Sequence, residues 1–246
     1  MIKFFRNIRK NLLSEGKTGK YLKYAIGEIF LVVIGILIAL QVNNLNEQRK
    51  AEATRQGYYY QILEDLSKDK IYIEETISLL DSTINSYHVY LETYKEPDLN
   101  FDQAFNNILL LDIKSKVISF NTNTIESLES TGDIKLIPTA IRNKLIDLKR
   151  YQNRMIKASD ANREKAGDIL KLASLESGGD LYTRLSNQSK LREVLKLDSK
   201  LEDVFLMLEA FQQWKIVNAI KDLNSLKKIL SDEDDLVNLV NEELKI

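Results

Sequence analysis

The sequence predicts an all-α protein built as a basic amphipathic N-terminal helix, one transmembrane helix and an antiparallel helical bundle. Three observations carry this expectation. Nine Gly and two Pro in 246 residues leave few breakers among abundant Leu, Ile, Lys, Glu, Asn and Ser, which favours long helices over short strands and turns. An unbroken apolar run fills residues 29–40. Between residues 73 and 94, apolar residues alternate at spacings of four and three, the a/d pattern of helices that pack at a shallow angle.

The first expected element covers residues 1–20. Ile2, Phe5, Ile8 and Leu12 recur at helical spacing among Lys3, Arg6, Arg9 and Lys10. Such a helix lies in the plane of a leaflet, with its four cations toward anionic lipid. Gly16, Lys17 and Thr18 do not make a phosphate loop, because Asn11 stands where such a loop needs a Gly and no strand precedes it.

The second element is the span, residues 21–43. The apolar core 29–40 alone would rise only about 18 Å, short of a hydrocarbon layer of roughly 30 Å. Residues 24–42 reach about 28 Å and carry only Glu28 and Gln41 as polar interruptions. Tyr21 and Tyr24 sit where an interfacial aromatic belt belongs. A cleaved signal peptide would need small residues at a cleavage site, and "IALQVNN" has none. Seven basic residues precede the apolar stretch that begins at residue 24, and only Arg49, Lys50 and Arg55 follow closely. The positive-inside rule therefore expects a cytoplasmic N-terminus and a C-terminal domain on the far side, periplasmic in a bacterial inner membrane.

Glu28 is the anomaly in this stretch. A charge at the bilayer centre costs roughly 2.5–3.5 kcal/mol on insertion scales and less toward the edge. Snorkelling toward Lys20 and Lys23 is one outcome. The other follows from spacing: Glu28, Gly35 and Val42 are seven apart, and Ala39 shares their face. Gly35 and Ala39 form a small-xxx-small pair that lets two helices approach closely. Glu28, Gly35 and Ala39 are thus the candidate self-association face.

The third element, residues 44–246, reads as a bundle. Ile73, Ile77, Leu80, Ile84, Tyr87, Leu91 and Tyr94 form the seam, with Leu63 and Leu66 upstream and a polar gap at Lys70. Pro97 ends it. Asn100 with Gln103 reads as a capping box opening a short helix, and "SFNTNT" as a polar loop. Asn123 with Glu126 starts another helix that Gly132 closes. Pro138 suits the start of a long helix with an apolar face of Ile141, Leu145, Leu148, Met155, Ile169 and Leu172, ending at "ESGGD". A short helix near residues 190–197 precedes a long one over 200–230. Phe205, Leu208, Ile216, Leu223, Leu226 and Leu230 share one stripe of it. Ser231 with Asp234 would cap a final small helix.

The stretch "YAIGEIFLVVIGILIALQVNNLNE" after a basic head resembles a large family of uncharacterised bacterial single-span membrane proteins, known only as a domain of unknown function. "IESLESTGDIKLIPTAIRNKLIDL", residues 125–148, resembles that family's second recurrent segment. The resemblance implies an inner-membrane protein and supplies no catalytic residues.

The chemistry in the chain is sparse. With no Cys, disulfides and thiolate metal sites are excluded. His88 is the sole histidine, and with Glu92 it makes at most a two-ligand pair. No nucleophile elbow, zincin helix or dinucleotide fingerprint occurs, so no cofactor and no enzymatic activity are expected. Residues 1–24 carry a net +6 and the part from residue 43 a net −6. An acidic body argues against nucleic acid as a partner, while the basic head suits an anionic inner leaflet. The leading expectation is an interaction or scaffolding module that binds a copy of itself or another envelope protein. The alternative is a sensor whose bundle takes up a small ligand and signals through a membrane partner. A continuous dry core would favour the first, and a convergent polar pocket the second.

Overall fold

A computed structural model describes residues 18–244, and every regular element among them is helical. Seven α-helices follow in order: α1 Thr18–Glu92, α2 Phe101–Leu109, α3 Asn123–Thr131, α4 Thr139–Ser177, α5 Leu181–Arg184, α6 Ser189–Val194 and α7 Leu201–Leu244. Two compact units are present, Met1–Gly57 and Tyr58–Ile246. The leaflet-facing candidates Lys3, Arg6, Arg9 and Lys10 lie outside the described residues.

In the first unit, α1 presents its apolar side chains outward. Ile29, Phe30 and Leu37 are each about 60 % exposed or more. An 18-residue window reaches a mean hydropathy of 2.5 with none of it buried. A soluble core helix covers such residues; this one is long and apolar enough to cross a membrane.

In the second unit, one core joins the later part of α1 to α4 and α7. Tyr59, Ile62, Leu66 and Ile73 meet Ile141, Leu145 and Met155, together with Leu223, Leu226, Ile229 and Leu236. Cross-links fix the directions. Lys70 pairs with Asp234 at 3.0 Å, and Tyr90 donates to Glu209, so α1 and α7 run antiparallel. Lys144 pairs with Asp235 at 2.9 Å, and Ser159 reaches Asp222 at 2.7 Å, so α4 also runs antiparallel to α7. It follows that α1 and α4 run parallel. The segment 93–138 makes that possible by returning the chain along the bundle.

The local signals mostly act where expected. Asn100 and Gln103 form a complete capping box on α2. Gly132 and Gly178 close α3 and α4 with φ of 76° and 66°, the left-handed conformation glycine tolerates. Four expectations are corrected. The cap of α3 is Thr122, whose side chain caps nothing; Asp65 accepts from the Thr124 N–H at 3.1 Å instead. The end of α7 does not break at Ser231, because Glu233, Leu236 and Val240 are buried and hold the helix through to Leu244. The α1 seam fades after Leu80, with Leu91 40 % and Tyr94 46 % exposed while Tyr90 is buried. Leu172 is exposed, because α4 buries Ser159, Ala166 and Ala173 instead.

Candidate functional site

These small and polar residues are the starting point of the site. Beyond Met155 the core-facing row of α4 reads Ser159, Ala166, Ala173, and that of α7 includes Gln212, Lys215 and Asp222. Small side chains leave space, and the polar ones need partners. The partners come from one another and from residues 112–122, a segment without regular structure.

That segment is strapped to the bundle by buried and partly buried side chains. Lys215, 8 % exposed, donates its Nζ to the Asp112 carbonyl oxygen. Gln212 donates to the same oxygen at 3.3 Å. The Tyr72 hydroxyl donates to the Val117 carbonyl at 2.9 Å. Asp69 accepts from the Asn121 backbone N–H and side-chain amide, both at 2.8 Å. A loop has no ladder partners of its own; here helix side chains supply them.

Under the strap lies a cavity of about 260 Å³. Leu79 and Thr83 of α1, Lys114 and Lys116 of the strap, and Arg163 and Asn162 of α4 contribute to its walls, as do Lys215, Asn218 and Asp222 of α7. Asp222, 7 % exposed, accepts from Ser159 at 2.7 Å and from Asn218 at 3.3 Å. It has no ion-pair partner among the described residues. Burial pushes its carboxyl above the usual range, which the Ser159 hydrogen bond only partly offsets. Burial pushes the Lys215 ammonium down. Arg163 is tied to Asp160 at 2.7 Å.

A second polar cluster lies further along the core. Glu233, 1 % exposed, accepts from Gln152 at 3.3 Å, and its Oε2 has no partner among the described residues. Burial, then the neighbouring Asp69 and Asp234, push its carboxyl up to about 8. Burial lifts Asp69 to about 6 against the two Asn121 hydrogen bonds. The cavity beside Asp69 is only about 30 Å³, room for a water rather than a metabolite.

The three residues expected to form a self-association face all lie on α1. Glu28 is partly exposed on α1, while Gly35 and Ala39 are exposed, and a Cβ on Gly35 would meet open space. His88 is exposed and no cluster of three or more metal-ligating groups occurs among the described residues.

A family model matches residues 28–207, described as "Family of unknown function (DUF6090)". The chain belongs to this family. The match takes in most of the apolar stretch of α1, the strap, α3 and α4. No curated protein and no solved structure matches the chain. The family brings no residue roles, so the cavity stands on its own geometry. Lys215, Asn218 and Asp222 lie beyond the matched segment, while Asn162, Arg163 and the strap lie within it. Sequence reasoning missed this site. The available signal was the polar row Gln212, Lys215 and Asp222 interrupting the apolar stripe of α7.

Proposed function

We propose that this chain is a membrane-anchored sensor. Its basic head lies on the cytoplasmic leaflet, residues 21–43 cross the bilayer, and the bundle on the far side takes up a small polar ligand. A membrane partner carries the signal inward, and the chain itself performs no reaction. The single observation that supports ligand uptake is the 260 Å³ cavity lined by converging charged and amide groups. An interaction module has no need of such a polar recess between strap and helices. The orientation rests on the charge asymmetry around the span.

Scaffolding is the second reading, and one observation favours it. Leu206, Trp214, Val217 and Ile220 of α7 are 63, 41, 42 and 41 % exposed, and their spacing puts them along one side of the helix. A partner protein in the envelope, or a second copy, would cover such a stripe.

The test is thermal unfolding of the full chain in lipid nanodiscs against a panel of small amino acids, carboxylates, sugars and amines. A ligand that binds the folded state raises the melting temperature. The sensor reading expects a subset of compounds to do so in the wild type and not in Asp222→Asn. A panel without any Asp222-dependent stabilisation would leave the scaffolding reading in its place.

A further inference from the structure

The cavity holds two buried ionisable groups of opposite sign on one helix. Lys215 and Asp222 are both buried and both line the cavity. Buried charges are ordinarily paired, yet these two do not pair with each other. They are seven residues apart on α7, which separates them by roughly 10 Å along the axis. Side chains on a helix lean toward its N-terminus, and the longer Lys215 leans further from Asp222, so the gap does not close. Lys215 donates to the neutral Asp112 carbonyl, with the Asp112 carboxylate near enough to favour its charge but in no ion pair with it among the described residues, and Asp222 is left with the neutral Ser159 and Asn218.

Neither a simple anion nor a simple cation suits this arrangement. An anion would meet Lys215, Lys114 and Lys116 but bring a second negative charge to the Asp222 carboxyl. A cation would meet Asp222 but crowd the lysines. We propose that the cavity takes a small zwitterion, its anionic group on Lys215 and the strap lysines and its ammonium on Asp222. This assignment rests on the ligand-uptake reading above and specifies its ligand. Taking a hydrogen bond of about 2.9 Å from each end of the 10 Å gap leaves at least about 4 Å between the ligand's charges. That length needs a spacer of several bonds rather than one carbon. Asn162, whose amide donates to Asn218 at 3.2 Å, keeps its carbonyl oxygen available to the ammonium.

The experiment is isothermal titration of the full chain in lipid nanodiscs with γ-aminobutyrate, butyrate, butylamine and glycine. Wild type is expected to bind γ-aminobutyrate at least about tenfold tighter than the other three, since each lost charged hydrogen bond costs about that factor or more. Lys215→Gln should bring γ-aminobutyrate down to the level of butylamine, and Asp222→Asn down to that of butyrate. Circular dichroism checks that both variants keep their helices, and the wild-type comparison stands without them. Butyrate or butylamine binding as tightly as γ-aminobutyrate would overturn the zwitterion assignment while leaving a ligand cavity in place. Binding of γ-aminobutyrate that survives both substitutions would overturn its location. Wild type that binds none of the four, yet is stabilised through Asp222 by another compound of the panel, would overturn the assignment and spare the sensor reading.

Discussion

Glu233 makes the stability of the bundle depend on pH in an unusual direction. Its carboxyl is 1 % exposed, has one weak hydrogen bond from Gln152, and is raised from 4.5 to about 8 by burial and by Asp69 and Asp234. A carboxyl with a raised folded pKa binds its proton more tightly in the fold than in the open chain. Its contribution is therefore full below the unfolded value and is lost as pH rises toward 8. Integrated between about pH 5 and about pH 9, that difference amounts to about 4 kcal/mol of lost stability. Asp69, raised to about 6, adds about 1 kcal/mol in the same direction. Glu233→Gln keeps the shape and a donor–acceptor contact to Gln152 but cannot ionise. Residues 58–246 should melt some 10 °C lower at about pH 9 than at about pH 5, at roughly 2–4 °C per kcal/mol. In Glu233→Gln most of that difference should disappear, leaving the parts due to Asp69 and Asp222, whose carboxyls burial also raises. Thermal unfolding followed by circular dichroism reads both. Wild type that is more stable at high pH, or a Gln variant with the full wild-type pH dependence, would refute the reasoning.

Three further outcomes are expected. Residues 58–246 hold the whole bundle core and should be soluble, helical and cooperative on heating, with no cofactor added; a gradual loss of ellipticity would contradict this. Asp65→Ala removes the acceptor for the Thr124 N–H and hydroxyl at 3.1 and 2.6 Å, and should cost about 1 kcal/mol or more in urea unfolding, as loss of a helix cap does. In a transmembrane-association reporter, Gly35→Leu should weaken self-association more than Glu28→Leu, because its bulk separates the backbones; equal signals from both variants and wild type would leave Glu28 as a snorkelling boundary residue.

The sequence was most readable where one signal acts locally. Capping at Asn100, the glycines at 132 and 178, and the apolar run 29–40 each depend on a few neighbouring residues, and each is where it was expected. The path of α7 was not readable past Ser231, since Ser and Asp favour caps and only the burial of Glu233, Leu236 and Val240 overrides them. The parallel course of α1 and α4 depends on how residues 93–138 return, which no periodicity records. The cavity was hidden for a related reason. Hydropathy patterns find apolar faces, whereas Ser159, Lys215 and Asp222 are core residues that look like surface ones. Only their convergence under the strap gives them meaning, and that is a tertiary property.

The proposed sensor places its cavity outside the cytoplasm, and the absence of Cys from the chain allows a direct test. Ser115 of the strap is exposed and borders the cavity. Ser115→Cys would be expressed in the full chain and treated in intact spheroplasts with a thiol reagent that does not cross membranes. The account expects labelling without lysis, slowed by a compound that stabilises the bundle through Asp222. Labelling that appears only after the membrane is broken would put the cavity on the cytoplasmic side and contradict it.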